Sequence, residues 1–87
     1  MLAEPVMTNA GMVLPQAAFW QTARALCSRY RTLLAIDETH TLSSGPRGHA
    51  HRIGLSPDFL VAGKAIAGGV PMAVYGFTAE LARRMEH

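Results

Sequence analysis

Two short apolar runs, each closed by a charged residue of opposite sign, constrain this chain more than any other feature. Thr32-Leu33-Leu34-Ala35-Ile36 ends in Asp37-Glu38, and Phe59-Leu60-Val61-Ala62 ends in Gly63-Lys64. Neither run alternates polar with apolar residues. Each therefore reads as a strand buried on both faces, of the kind found in parallel sheets covered by helices. A helix is expected ahead of the first run, from Gln16 to Tyr30, where Ala is frequent. Phe19, Ala23, Leu26 and Tyr30 recur there at helical spacing as an apolar stripe, which Trp20 and Cys27 widen. Pro15 falls near its first turn, where a missing N–H costs little. Leu2 to Val6 supplies the end of an earlier strand, so strand, helix and strand make a βαβ unit.

The remainder is read the same way. His40 to Pro57 is rich in Gly, Ser, His and Arg without periodicity and is expected to be a long loop. Met72 to Phe77 is a third strand candidate. Thr78 caps a last helix from Ala79 to Met85, with Glu80 in its first turn and Arg83 and Arg84 in its last. The expected fold class is α/β, with a mostly parallel sheet, flanking helices and a single partial domain over residues 1–87.

Composition narrows the function. With 49% hydrophobic and only 16% charged residues, the chain is not a disordered tail. In 87 residues that balance implies more apolar surface than one small core hides, so a segment of a larger α/β protein, or a partner surface, is expected. The net charge of +2 is a small surplus, and no aromatics interleave with a basic stripe, which excludes a nucleic-acid partner. No apolar run reaches the roughly 18 residues of a membrane span. Met1-Leu2-Ala3-Glu4-Pro5 lacks the basic start and apolar core of a secretion signal, and Cys27 is a lone cysteine. A cytoplasmic location is the expectation.

In open α/β sheets ligands bind beyond the carboxyl ends of the strands. Asp37 and Lys64 both stand at such ends. A lysine flanked by glycine can be approached closely by a flat ligand, and when desolvated it becomes a nucleophilic amine. An aspartate on the neighbouring strand could hold a protonated ring nitrogen. Schiff-base Lys plus Asp on a pyridinium nitrogen is the electron-sink arrangement of pyridoxal phosphate enzymes. By spacing alone, an ordinary turn or cap Asp and a solvated Lys are much the commoner explanation of the pair.

The wider series decides between these readings. Ala35-Ile36-Asp37-Glu38-Thr39 is followed, with Lys64 lying 27 positions after Asp37, by Gly63-Lys64-Ala65-Ile66-Ala67-Gly68-Gly69-Val70-Pro71. Glu4-Pro5-Val6, Asn9, Gly11 and Ser56-Pro57-Asp58 complete the set. This series resembles the class III aminotransferases, and within them the glutamate-1-semialdehyde aminomutase branch, over nearly the whole chain. The resemblance implies part of a fold-type-I large domain, with Met72 to Phe77 as its one antiparallel strand. It implies pyridoxal 5'-phosphate as cofactor and Lys64 as the catalytic Schiff-base lysine that also shuttles a proton. Asp37 would keep the pyridine nitrogen protonated. Thr39 stands where the family usually has Val against one ring face. His40 follows it at the border of the cofactor and substrate, and Glu4 and Asn9 border the same cleft.

The parent enzyme would be a homodimer acting on a small amino or keto substrate. The family's phosphate-binding loop and other ring-stacking residues match nothing in these 87 positions. The chain is therefore expected to be a fragment, inactive or nearly so alone. The alternative is a non-catalytic truncated remnant or a partner-dependent module.

Other motifs fall away. A Walker A loop would need Gly where Asp58 stands and Ser or Thr where Ala65 stands. His49-Ala50-His51 would put two rings on one face only in a strand, and the usual cysteine ligands are missing, so no metal is expected. Arg47, His49, His51 and Arg52 form a small basic loop that the resemblance assigns to a subunit contact. Glu38 is expected to anchor the loop by a hydrogen bond, and Cys27 to fill core.

Overall fold

The computed structural model describes residues 1–86. Strands β1 (Leu2–Ala3), β2 (Ala35–Asp37), β3 (Phe59–Ala62) and β4 (Val74–Phe77) form one sheet in that order. β1 runs parallel to β2 and β2 parallel to β3, while β4 returns antiparallel to β3. The α/β class and the mostly parallel sheet follow the sequence reading, and the antiparallel strand is the one the resemblance placed there.

Parallel neighbours need long crossovers. The first holds α1 (Phe19–Arg29) and the second holds α2 (Gly48–Arg52). The helix α3 (Ala79–Met85) follows β4, and the Thr78 hydroxyl accepts from Leu81 N–H at 3.3 Å to cap it.

α1 begins three residues later than expected, at Phe19 rather than Gln16. It also turns inward only one side of the expected stripe. Trp20, Ala23 and Cys27 are buried with Leu34, Ile36, Ala50 and Leu55. Phe19, Leu26 and Tyr30 of the expected stripe are largely exposed. Trp20 wins because its ring has both an apolar seat and a polar partner. Its Nε1 donates to the Pro5 carbonyl at 3.2 Å, as a buried indole N–H requires. Cys27 fills core, as expected.

The segment from His40 to Pro57 is not the structureless loop expected from it. It contains a 3₁₀ turn at Leu42–Ser44 and α2, with Ala50 and Leu55 in the core. Burial of the strands also differs from the expectation. Ile36 and Leu34 are fully buried, but β3 is mostly half-buried and β4 is exposed along its length. α1 and α2 supply the core beneath the Leu34 and Ile36 side chains. Phe59, Tyr75 and Phe77 cluster along β3 and β4, with ring centroids 5.7 and 6.1 Å apart. Among the described residues no helix is long and apolar enough to cross a membrane.

Candidate active site

The register sets the site. Asp37 is paired with Val61, so the last residue of β2 lies beside β3 three residues before Lys64. Two parallel strands thus deliver a carboxylate and an amine to the same edge of the sheet. The backbone then does something unusual at the amine. Lys64 has φ +46°, in the left-handed region that non-glycine residues seldom adopt. Such strain tends to persist at functional positions. Lys64 is exposed and, among the described residues, enters no hydrogen bond or ion pair.

Asp37 is held differently. Thr39 keeps its carboxyl below the ordinary carboxylate range, through its hydroxyl first and then its backbone N–H, which donates to Oδ1 at 2.9 Å. Partial burial works in the opposite sense, and the nearby His40 and Lys64 charges add to the lowering. The register, with Asp37 beside Val61 and Gly63-Lys64 directly after β3, brings the two groups to one edge of the sheet. Thr39 also bridges them physically. A Cβ added to Gly63 would lie 3.6 Å from Thr39 Oγ1 and 3.7 Å from its Cγ2, so the threonine side chain packs over the glycine beside Lys64.

Glu38, between Asp37 and Thr39, faces the other way and is fully buried. Its carboxylate accepts from the N–H groups of His49 and Ala50 at 2.7 Å each. Its own N–H donates to the Val61 carbonyl at 2.7 Å. This is the expected anchoring bond, doubled. Gly48 makes room for it. A side chain there would start 2.7 and 2.9 Å from the Glu38 oxygens, and φ is +81°. Glu38 thereby fixes the segment that follows Asp37.

His40 is brought to the loop after β1. Its Nδ1 lies 2.6 Å from Thr8 Oγ1 and 3.8 Å from Glu4 Oε2. Thr8 Oγ1 in turn donates to Glu4 Oε2 at 2.8 Å. The ring lines an open cleft of about 550 Å³ that Asn9, Met12, His49 and Arg52 also line. The structure therefore joins Asp37 to Thr39, sets Thr39 against the glycine that precedes Lys64, and places Glu4 and Asn9 on the His40 side. Thr8 was not singled out in the sequence, where a threonine in a polar turn gives no signal of its own.

Asp58 is a second carboxylate that sequence reasoning left without a role. It accepts from Leu34 N–H at 2.7 Å and from Arg24 at 2.8 Å. It ties α1 to the entry of β2. His49 and His51 stand on α2, where residues two apart do not share a face. The strand geometry that a pair of metal ligands would need is absent there, and His49 Nδ1 meets Ser44 Oγ at 3.2 Å.

The donor set suits a flat, aldehyde-bearing pyridine. An ionised carboxylate with lone pairs beyond those Thr39 uses can take a ring N–H. An unpaired primary amine can bond to an aldehyde carbon.

Residues 1–87 match the family model described as Aminotransferase class-III. Glutamate-1-semialdehyde 2,1-aminomutase of Nitratidesulfovibrio vulgaris is 41% identical over 85 residues, covering 97% of this chain and 20% of that protein. The crystal structure of a glutamate-1-semialdehyde-aminomutase from Pseudomonas aeruginosa PAO1 superposes with TM-score 0.92 and 51% identity over 97% of this chain and 18% of that one. A lysine-to-alanine variant of a Pseudomonas aeruginosa PAO1 aminomutase in complex with PMP matches equally, with TM-score 0.92, 50% identity and the same coverage. The chain spans about a fifth of the length of the curated relatives it matches.

Proposed function

Because this chain belongs to the class III aminotransferases, we propose that it provides the cofactor lysine and the ring-nitrogen carboxylate of a pyridoxal-phosphate-dependent aminotransferase or aminomutase acting on a small amino or keto substrate. One observation carries the reading. Asp37, kept ionised by Thr39, closes β2, and Lys64, without a hydrogen-bond or ion-pair partner among the described residues, follows the adjacent parallel β3 at the same edge of the sheet.

Pyridoxal phosphate, when bound, supplies a conjugated ring that takes up the electron pair left at a substrate's Cα. Asp37 would hold a proton on the ring nitrogen, because a carboxylate already favoured in its charged form stabilises the cation beside it. Lys64 would bond to the aldehyde carbon. As a free amine Lys64 would also be the base that carries the proton to and from the substrate's Cα. Its exposure and lack of competing partners support that double duty. Thr39 would bear on one ring face while orienting Asp37. Identity is higher to the Pseudomonas aeruginosa aminomutase, at 51%, than to an omega-transaminase from Thermomicrobium roseum, at 28%, which supports transfer within one molecule. The activity is proposed for the protein that carries this stretch.

The test is chemical. The protein is loaded with pyridoxal phosphate, reduced with borohydride, digested and mapped. The adduct is expected on Lys64, and Lys64→Ala should lack both adduct and turnover. Asp37→Ala should keep the adduct and slow turnover by roughly a hundredfold, the scale of losing one preorganised electrostatic partner. An adduct on another residue, or an Asp37→Ala variant at parental rate, would overturn the assignment.

A further inference from the structure

The contacts of Glu4, Thr8 and His40 fix where protons lie. Thr8 has one hydroxyl proton to give. Glu4 is a carboxylate and can only accept, and its Oε2 stands 2.8 Å from Thr8 Oγ1 and also takes the Thr8 N–H at 3.4 Å. The hydroxyl proton therefore points at Glu4. The 2.6 Å contact between Thr8 Oγ1 and His40 Nδ1 then needs a proton from the ring. With the proton on Nδ1, the neutral imidazole has its lone pair on Nε2, on the far side of the ring from Thr8.

We propose that Glu4 and Thr8 lock His40 in its Nδ1–H form, so that Nε2 accepts a hydrogen bond from an amino or hydroxyl donor of a substrate entering the cleft that His40 lines. That cleft has a volume of about 550 Å³, and His40 stands three residues after Asp37 in the chain. Glu4 and Asp37 are the anions around it, and His49 and Arg52 are the other titratable or cationic groups lining the same cleft. Both basic groups are already engaged with Ser44, His49 through its hydroxyl and Arg52 through its carbonyl at 3.2 Å each. Val6, Asn9, Met12, Leu14 and Thr41 also line it. His40 Nε2 is then one acceptor, held in a fixed protonation form, that the cleft offers to a donor-bearing substrate. Thr8 is a positioning residue that acts through His40.

The purpose assigned to Nε2 rests on the proposed function; the tautomer does not. The test separates them. Ring nitrogen shifts of His40 are read by NMR in the full protein, above the pH at which the ring protonates. Nδ1–H with a bare Nε2 is expected, persisting in Thr8→Ser. In Thr8→Val and in Glu4→Gln the ring should shift toward the Nε2–H form that free histidine prefers. In the loaded enzyme, Thr8→Val should raise KM for an amino substrate by roughly threefold to tenfold, the worth of one hydrogen bond, with kcat near parental. Thr8→Ser should restore it. An Nε2–H ring in the parental protein, or a Thr8→Val variant with unchanged shifts, would overturn the lock. Unchanged KM alongside a shifted tautomer would overturn the acceptor role. Failure to take up pyridoxal phosphate at Lys64, with the tautomer as expected, would instead count against the functional reading.

Discussion

Up to Ala62 the sheet rests on a core; beyond Gly63 it does not. Trp20, Ala23, Cys27, Leu34, Ile36, Ala50 and Leu55 pack together under β2, and Asp58, Arg24 and Glu38 stitch the crossovers to it. From Lys64 to Glu86 no residue is buried. β4 is attached by its ladder to β3, and α3 by its own cap and a Thr78 N–H bond to the Asp58 carbonyl at 3.1 Å. The two proposed functional groups fall on opposite sides of that divide. Asp37 sits on the packed side, with its carboxyl fixed by Thr39. Lys64 is the first exposed residue on the other. This suits a reaction in which the acid keeps one position on a ring while the amine must bond, let go and carry a proton.

The largest expected effect breaks or confirms the divide directly. Ile36→Ala removes a fully buried side chain from the core and should cost about 2–5 kcal/mol. Tyr75→Ala, at 70% exposure in β4, should cost about 1 kcal/mol or less, mostly lost cross-strand and stacking contact. Urea melts of the two variants measure the difference. Equal losses would mean that the β4 side is as well supported as the β2 side.

The same divide explains what could be read in the sequence. β3, α3 and its Thr78 cap match their expected bounds, because a short apolar run and a capping threonine are local signals. The acid and the amine were legible because each closes its own run. α2 was not, since its first turn is held by the Glu38 carboxylate ten and more residues earlier in the chain, and nothing in Gly48-His49-Ala50-His51-Arg52 announces a helix. The inward face of α1 was read too broadly for a similar reason. Periodicity gave one wide stripe, and the Pro5 carbonyl that takes the Trp20 indole N–H settled which side of it is buried. β2 is shorter than its run because the Leu34 carbonyl is taken by the N–H groups of Asp58 and Phe59, at the entry to β3. The Glu4, Thr8 and His40 chain joins loops 32 residues apart and leaves no pattern at all.

Asp58 allows the seam itself to be probed. Burial pushes its carboxyl up, but the Leu34 N–H and Arg24 outweigh that and hold it below the ordinary range. A carboxyl lowered on folding stabilises the protein above its unfolded pKa of about 4, and that contribution fades as pH falls through the folded value. Unfolding free energy should therefore drop on acidification below about pH 4. Asp58→Asn should cost about 1–3 kcal/mol at neutral pH, the range for charged hydrogen bonds, and should flatten this part of the pH profile. Asp37 titrates in the same direction, so the variant leaves some slope. A profile identical to the parental one would remove Asp58 from the seam.

The smallest effect lies farthest from the core. Glu80 and Arg84 form an i,i+4 pair at 2.7 Å on α3, with both side chains 69% exposed. Glu80 also sits in the first turn, where a negative charge suits the helix dipole. Such pairs contribute about 0.2–0.5 kcal/mol and weaken with salt. Glu80→Ala should therefore change stability by no more than this at low ionic strength, and by less in 1 M salt. Hydrogen exchange should show a larger local effect, with α3 amides opening faster while those of Glu38 and Asp58 stay as protected as before. A loss that spread to Glu38 and Asp58 would mean that α3 supports the packed side through the Thr78 bond to Asp58, and the division at Gly63 would then describe burial without describing stability.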